Sequence, residues 1–268
     1  MWHRLTPLMF SVLSTVGATS TQADIACTLV HKIGDPEPVF QQGELCDTAF
    51  SPASTFKLPL ALFGFEQDLL QSSDTPAVAY TPEQNAPFKS WQQTTTPRAW
   101  LKFSVVWYSQ WLTRQMGYEA FKHNVDRLDY GNRDLTGTPG RDDGLTHAWL
   151  STSLKITPTQ QADFLLSLVS HDLPYTSHAI DWTIATTQTF ATPAGHGLKG
   201  KTGNAWATDA HANRLKGQHG WFVGWLTHRE AQYVFVHLIA EDRDTSGFAS
   251  SRARKHVLSH LQEWLEGH

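Results

Sequence analysis

Residues 51–59 have the sequence Ser-Pro-Ala-Ser-Thr-Phe-Lys-Leu-Pro, which places Ser54 three residues before Lys57. On a helix, side chains at positions i and i+3 lie on one face, about 5–6 Å apart. A serine hydroxyl becomes a nucleophile only when a base lies within hydrogen-bond reach of its proton. The apolar residues that follow would bury Lys57 and lower the pKa of its amine, because burial disfavours the charged form. The stretch therefore predicts an activated serine at a helix start, pointing into an apolar pocket.

The same spacing also has an ordinary structural explanation. Ser-x-x-Lys is expected by chance about once in a chain of this length. In that interpretation Ser54 is a helix N-cap and Lys57 is a surface lysine. The catalytic interpretation therefore depends on further groups elsewhere in the chain.

Length, charge and composition restrict the class of protein. The chain has 268 residues, 40% of them hydrophobic, which is enough for one large domain with a substantial core. The formal net charge is −4 and no long basic run occurs, so no nucleic-acid partner is expected. Histidine pairs such as His171 with His178, or His211 with His219, match no zinc-binding pattern, so no metal site is predicted.

Residues 1–23 have the pattern of a secretory signal peptide. Arg4 supplies the positive charge, residues 5–18 are mostly apolar, and residues 21–23 offer a small-residue cleavage site. The apolar part is too short and too interrupted for a transmembrane helix. The alternative is a buried N-terminal helix. No other stretch of the sequence is suited to span a bilayer.

The two cysteines, Cys27 and Cys46, flank a segment that contains the turn-forming residues 34–36, Gly-Asp-Pro. Two strands folded back at that turn would bring the cysteines side by side. In the oxidising environment reached by export, such a pair tends to be bridged. We therefore expect a disulfide, with two free thiols as the alternative. A zinc site is not expected, because two cysteines without a nearby histidine pair do not complete a zinc shell.

Strand patterns occur at both ends of the chain. Residues 28–31 and 38–40 have the pattern of a hairpin, and strand patterns return at 198–201, 220–226 and 232–239. Short connections between the late strands require antiparallel pairing.

Helical patterns fill the middle of the chain, and an amphipathic helix ends it. We therefore expect an α+β fold, an α/β sandwich in which an antiparallel sheet from both chain ends is flanked by helices. An all-helical subdomain is inserted at roughly residues 71–190. Residues 24–268 would then form a single catalytic domain.

Four motifs combine into one possible site: Ser54 with Lys57, then residues 104–106 (Ser-Val-Val), 130–132 (Tyr-Gly-Asn) and 201–203 (Lys-Thr-Gly). On a strand beside the nucleophile, the lysine of the last motif can pair with a substrate carboxylate and its threonine adds a hydroxyl donor. Its glycine would let a substrate approach the backbone closely. The main-chain amides of Asn204 and Ser54 could together hold the oxyanion that forms on attack.

With these motifs the chain resembles the serine β-lactamases and penicillin-binding proteins, and specifically the class D, oxacillinase-type β-lactamases. The resemblance extends from about Cys27 to the C-terminal helix. Class A enzymes would instead carry Ser-Asp-Asn and a separate glutamate base, and here Ser-Val-Val occupies that place. The segments that carry the resemblance are residues 52–57, 103–107, 130–132, 148–150, 201–203 and 220–224.

The resemblance implies hydrolysis of β-lactam antibiotics, and so antibiotic resistance, by a β-lactamase/transpeptidase-like fold. Ser54 would attack the β-lactam carbonyl and become acylated. Lys57 would carry CO2 as a carbamate (N6-carboxylysine) and act as general base for acylation and deacylation. The indole N–H of Trp149 would hold that carbamate, and Val106 would keep its pocket dry. No cofactor other than CO2 or bicarbonate is implied.

The resemblance also implies roles for the remaining polar residues. Ser104 would relay a proton to the departing nitrogen, supported by Lys201. Lys201, Thr202, Gly203 and Asn204 would bind the substrate, with the lysine and threonine on its carboxylate. The expected partners are small β-lactams, with no stable membrane insertion and the bacterial periplasm as location, whereas the oligomeric state and the preferred β-lactam stay open.

One position departs from the pattern of the family. Many members place an arginine on the C-terminal helix to hold the substrate carboxylate, where this chain has Ser250 or Ser251, with Arg252 and Arg254 close by. Either the hydroxyls act with Lys201 on the carboxylate, or Arg252 reaches in.

Two other functions remain as alternatives. A D-alanyl-D-alanine peptidase would stay acylated by β-lactams because it lacks a base that activates water, and Ser-Val-Val with Trp149 argues against it. A β-lactam-sensing module would stay acylated as a signal, but it would be expected to have membrane spans and a signalling domain.

Overall fold

The structure, a computed structural model, describes residues 25–84, 86–192 and 197–266, so the expected signal peptide at residues 1–23 lies outside it. The strands of the described chain are β1 (Ile25–Lys32), β2 (Phe40–Gln42), β3 (Thr189–Ala191), β4 (Gly197–Thr208), β5 (Arg214–His228) and β6 (Ala231–Glu241). Its α-helices are α1 (Lys57–Glu66), α2 (Pro97–Phe103), α3 (Val106–Met116), α4 (Tyr118–Arg127), α5 (Gly144–His147), α6 (Pro158–Val169), α7 (Ser177–Thr186) and α8 (Ala249–Glu266).

The six strands form one sheet in the order β2-β1-β6-β5-β4-β3. Every neighbouring pair is antiparallel. The first strand of the described chain pairs with the last, with Thr28 opposite His237. The prediction of an antiparallel sheet built from both chain ends is therefore confirmed, and so is the α+β fold class.

The sheet separates two apolar clusters, and the alternation along β6 shows how. Val234, Val236 and Leu238 belong to the large cluster shared with the helices. Phe235 and Ile239 belong to the smaller cluster under α8. Because successive side chains on a strand point to opposite faces, this strand is apolar on both sides. The sheet is thus the middle layer of the fold.

Helix α1 is the central helix of the large cluster. Nine of its ten residues, Lys57 through Phe65, are buried. A helix that is apolar on all sides lies in the interior of a protein rather than on its surface. The only charged residue on it before Glu66 is Lys57, which is therefore carried into the core.

The structure corrects several boundaries of the predicted elements. The helix predicted to start at Ser54 is a 3-10 turn over Ala53–Phe56 followed by α1, which ends at Glu66. Asp68 has a positive φ of 57°, and the Leu70 amide donates to the Gly64 carbonyl, which terminates the helix. The late strands are longer than their apolar runs, and β3 and α7 were not predicted.

Cys27 and Cys46 form a disulfide, as predicted. It joins β1 to the segment that leads into the nucleophile turn. Within residues 25–84, 86–192 and 197–266, no helix has the length and apolar character that crossing a membrane would need.

Candidate active site

Ser54 lies on the 3-10 turn Ala53–Phe56, and Lys57 is the first residue of α1. Residues i and i+3 eclipse each other in a 3-10 turn, so this geometry brings the two side chains together as closely as an α-helix would. Lys57 Nζ lies 3.4 Å from Ser54 Oγ and donates a hydrogen bond to it. Ala53, just before the serine, has a positive φ of 48°. Non-glycine residues in this region are uncommon and cluster at functional sites.

The Lys57 side chain is completely buried. Burial lowers the pKa of its amine well below the ordinary value, and the nearby charge of Lys201 lowers this pKa further. A neutral amine has a lone pair and can accept a proton, whereas an ammonium cannot. The alternative that Lys57 is a surface lysine is therefore wrong.

Lys201 and Ser104 form a second lysine–serine pair. Ser104 follows α2 in the left-handed conformation, with φ of 55°. Lys201, on β4, donates to Ser104 Oγ and to the Thr202 carbonyl, the latter at 2.8 Å. Burial lowers the pKa of Lys201 to about 7. This amine can therefore gain or lose a proton near neutral pH.

Strand β4 passes directly against the nucleophile turn. A Cβ added at Gly203 would lie 2.8 Å from the Pro52 carbonyl oxygen and 3.0 Å from the Thr55 amide nitrogen. Contacts this short are not tolerated against backbone, so a glycine is required by the protein's own packing. That Gly203 also admits the substrate stays a prediction.

A cleft of about 510 Å³ opens at the nucleophile. Its volume lies within the range of small-molecule sites. Seven of the site residues singled out from the sequence line this cleft: Ser54, Ser104, Val106, Thr202, Asn204, Ser250 and Ser251. The fold thus brings together in one cleft residues from both ends and the middle of the chain.

The start of α8 lies on this wall because Gly220 lets it approach the sheet. A Cβ on Gly220 would lie 2.2 Å from the main chain of Ala249 and Ser250. Gly220 is paired with Asn204 on β4, and the Ser250 amide donates to Asn204 Oδ1 at 3.0 Å. The two serines of α8 are thereby placed across from the nucleophile.

Arg252 is held away from the cleft. Its guanidinium makes two hydrogen bonds of 2.7 Å to the carboxylate of Glu241 and one of 2.8 Å to the Ser246 carbonyl. It is not among the cleft-lining residues. Of the two possibilities left by the sequence, the positions of Ser250 and Ser251 fit a carboxylate site and that of Arg252 does not.

Trp149 is fully buried and stacks on Phe56, the residue before Lys57, with ring centroids 5.5 Å apart. Its indole Nε1 is buried and has no hydrogen-bond partner within the described part of the chain. A buried donor without an acceptor costs about 1–3 kcal/mol. The described residues do not supply an acceptor for this N–H, and an added acceptor group beside it would remove this cost.

The Tyr-Gly-Asn motif, residues 130–132, does not line the cleft. Its tyrosine is connected by hydrogen bonds to the nucleophile turn. The Tyr130 hydroxyl donates to Gln161 Oε1 at 3.0 Å, and Gln161 Nε2 donates to Thr55 Oγ1 at 2.7 Å. Thr55 Oγ1 in turn donates to the Pro52 carbonyl at 2.6 Å. Sequence reasoning missed Gln161, although a glutamine within the apolar stripe of α6 was a visible anomaly.

The aromatic part of the cleft was also missed. Phe88, Trp91, Phe103, Trp206 and Phe248 line it. The rings of Phe88 and Phe248, 160 residues apart in the chain, meet edge to face with centroids 6.1 Å apart. No periodicity marks these residues, because most of them lie in loops or at element ends. Over the described residues, no group of three or more His, Cys, Asp or Glu side chains is placed to hold a metal.

Comparisons with known proteins agree with this geometry. Residues 12–261 match the model of the penicillin-binding protein transpeptidase domain. β-Lactamase OXA-9 of Klebsiella pneumoniae is 35% identical over 261 residues, covering 95% of this chain and 94% of its own length. β-Lactamase OXA-1 of Escherichia coli is 32% identical, covering 93% and 88%.

Among solved structures, the crystal structure of OXA-427, a class D β-lactamase, superposes with a TM-score of 0.83. It is 40% identical in sequence, and the match covers 90% of this chain and 98% of that one. Family model, sequence relatives and fold agree over nearly the whole chain, and the chain therefore belongs to the class D serine β-lactamases within the penicillin-binding protein transpeptidase family.

Proposed function

We propose that this chain hydrolyses β-lactam antibiotics through an acyl-enzyme on Ser54 and thereby gives resistance to them. The observation that carries the proposal is the contact of 3.4 Å between the Ser54 hydroxyl and a completely buried amine, that of Lys57. A buried, neutral base in contact with a serine at the wall of a cleft is what nucleophilic attack on an acyl carbon requires.

In acylation, Ser54 Oγ attacks the lactam carbonyl while its proton passes to Lys57. The main-chain N–H groups of Ser54 and Asn204 hold the developing oxyanion. Ser104 gives its proton to the lactam nitrogen as the C–N bond breaks, and it is reprotonated from Lys201, whose Nζ contacts it. A pKa of about 7 suits Lys201 to this transfer.

Two features support a carbamate on Lys57. The lowered pKa keeps the amine in the neutral form that reacts with CO2. The buried N–H of Trp149 lacks an acceptor among the described residues, so its position fits a donor to an anion in the core. A carbamate would supply an anionic base both for Ser54 and for the water that releases the acyl group. Val106 lines the cleft, and its side chain would help to keep the carbamate pocket dry.

Substrate binding is assigned to the polar wall of the cleft. Thr202 on β4 and Ser250 and Ser251 on α8 line the cleft and would hold the carboxylate of the β-lactam. Lys201 would add its positive charge from behind Ser104, which its amine contacts. Export to the periplasm, following removal of residues 1–23, would place this activity where β-lactams meet their targets. The disulfide between Cys27 and Cys46 is consistent with an oxidising compartment.

The deciding experiment is the turnover of a chromogenic cephalosporin by the mature protein. Continued hydrolysis beyond one equivalent is expected. A single stoichiometric burst would favour the peptidase or the β-lactam sensor instead. The base is tested separately by acid treatment followed by bicarbonate, which should restore activity. Failure to recover in bicarbonate while the protein remains folded would contradict the carbamate on Lys57.

A further inference from the structure

Ser51 lies three residues before the nucleophile, is 1% exposed and does not line the cleft. Its hydroxyl donates to the Trp149 carbonyl at 2.9 Å and accepts from the Ser151 amide at 3.0 Å. One side chain thus engages both ends of the turn that follows α5, about one hundred residues further along the chain. Among the described residues, two hydrogen bonds connect residues 149–151 with the nucleophile segment, residues 51–57, and both use this hydroxyl.

The main-chain carbonyl of Ser51 makes the connection to the sheet. It accepts from Trp221 Nε1 and from His219 Nε2, each at 2.9 Å. Because a carbonyl only accepts, His219 carries a hydrogen on Nε2. Both donors are buried residues of β5. Ser51 therefore joins, through hydrogen bonds of one residue, the segment before the nucleophile, the turn at residues 149–151 and the sheet.

The Trp149 turn needs such a connection because no long helix or strand contains it. Helix α5 has four residues and ends at His147. Ser151 has a positive φ of 62°, which is a strained conformation for serine. Thr152 Oγ1 closes the turn on itself through the carbonyls of His147 and Ala148, and Thr208 Oγ1 bonds the Ser151 carbonyl from β4. Neither contact reaches the nucleophile segment.

We infer that Ser51 is a positioning residue that sets where the indole N–H of Trp149 stands relative to Lys57, and through it the affinity of Lys57 for CO2. The inference rests on the proposed function, since it concerns the carbamate assigned there to Lys57. Ser51 does not touch substrate or the reacting atoms. Its contribution would appear in the bicarbonate requirement of the enzyme rather than in the rate of the fully carbamylated form.

The test uses Ser51→Ala in the mature protein. Enzyme freed of CO2 at low pH is titrated with bicarbonate, and the steady-state rate with a chromogenic cephalosporin is measured. We expect the half-saturating bicarbonate concentration to rise about tenfold, because the variant loses the hydrogen bonds that hold the Trp149 turn in place. The limiting rate should be nearly restored at saturating bicarbonate. ¹³C NMR with labelled bicarbonate measures occupancy of the carbamate directly and should follow the same curve.

Ser109→Ala is the matched control. Ser109 is also fully buried, and its hydroxyl accepts from the indole of a buried tryptophan, Trp100, at 2.9 Å. The Ser109→Ala variant should be less stable than the wild type but should keep the wild-type bicarbonate requirement. If Ser51→Ala does not fold, Ser51→Cys fills the same space with a weaker hydrogen-bonding group and should shift the requirement in the same direction.

The outcomes separate the inference from the function on which it rests. A wild-type enzyme without bicarbonate dependence or a carbamate resonance would contradict the proposed base on Lys57. A wild-type enzyme with both, and a Ser51 variant with an unchanged half-saturating concentration, would overturn the positioning role alone. An equal shift in the Ser109 variant would overturn it as well, because the effect would then be general destabilisation.

Discussion

At the scale of single residues, the site contains two buried lysines that form no ion pair with a carboxylate of residues 25–84, 86–192 or 197–266. Lys57 contacts Ser54, and Lys201 contacts Ser104. Taking an ammonium out of water is costly, so burial moves the equilibrium toward the neutral amine. Both amines therefore favour the neutral form more than an exposed lysine does, at some expense of stability.

Replacing Lys57 by alanine should slow acylation of Ser54 and slow release of the acyl group still more. The expected loss in kcat is at least about 100-fold, the usual contribution of a general base. Intact-protein mass spectrometry after mixing with a penicillin should show the adduct persisting. Lys155→Ala is the control, since burial also lowers the pKa of Lys155, whereas the amines that contact Ser54 and Ser104 are those of Lys57 and Lys201. Wild-type turnover by Lys57→Ala would refute the assignment.

Replacing Trp149 by phenylalanine removes the buried indole N–H, for which the described residues offer no acceptor, and keeps a ring to stack on Phe56. The half-saturating bicarbonate concentration should rise about tenfold or more, the range for a hydrogen bond to a charged group. Trp100→Phe is the control, because it removes a buried indole N–H that has its own partner, Ser109. Equal bicarbonate requirements in the two variants would contradict the role of Trp149.

At the scale of elements, the position of the first turn of α8 determines which of its side chains line the cleft. Gly220 on β5 allows this turn to lie directly on the sheet, and Asn204 bonds its second residue. The arginine one turn in is committed to Glu241, whose side chain is only 7% exposed. The side chains that α8 presents to the cleft thus follow from the placement of the helix, and the nearest cation in the sequence, Arg252, is not among them.

Arg252→Met should therefore lower the stability of the protein without changing its binding of substrate. We expect KM for a penicillin to stay within about twofold of wild type, because this guanidinium does not line the cleft. The free energy of unfolding should fall by about 2 kcal/mol, because Glu241 is left without its partner in a mostly buried position. Urea unfolding and steady-state kinetics measure the two quantities.

Two further variants complete this comparison. Arg254→Met, which removes an exposed guanidinium near Phe190, should change neither quantity. Joint replacement of Ser250 and Ser251 by alanine should raise KM. A large rise in KM for Arg252→Met alone would mean that this arginine does reach the substrate.

At the scale of the whole molecule, the apolar layer between the sheet and α8 contains a buried histidine. His237 is inaccessible to solvent, bonds Thr28 through Nδ1 at 2.7 Å, and stacks on His256. Burial, together with the neighbouring His256 and His260, lowers its pKa to about 3. On the other face, burial lowers the pKa of His219 to about 4. Both rings are therefore neutral in the folded protein.

This sets the direction of the pH dependence of stability. In the unfolded chain both histidines titrate near pH 6.5, so below that pH the unfolded state binds more protons than the folded one. Their contribution is fully present above pH 6.5 and is lost as pH falls toward 4, by about 1.4 kcal/mol per pH unit for each ring.

Urea unfolding between pH 7.5 and pH 4.5 measures this loss. His237→Gln should reduce the slope of the profile by the contribution of one ring, about 1.4 kcal/mol per pH unit, whereas His123→Gln, which replaces an exposed histidine, should leave it unchanged. An identical slope in wild type and His237→Gln would contradict the neutral, buried ring.

Much of this protein follows from local sequence alone. The helix starts at Thr96-Pro97 and Thr157-Pro158 were predictable because a capping side chain and a proline act within one turn. The Ser54–Lys57 contact was predictable because it spans three residues. Strand pairing was predictable in direction, since short connections allow only antiparallel neighbours. The length of the hairpin β4–β5 was not, because its outer residues are held by pairing rather than by apolar burial.

What only the tertiary structure decided lies at contacts between distant segments. The sequence could not reveal that Gly203 serves the protein's own backbone, that Arg252 is occupied by Glu241, or that Ser51 joins three segments. The physical reason is one of range. Periodicity, caps and the Ser-x-x-Lys spacing act over a few residues, whereas the burial of an amine and the partner of a hydroxyl depend on which remote elements pack against them.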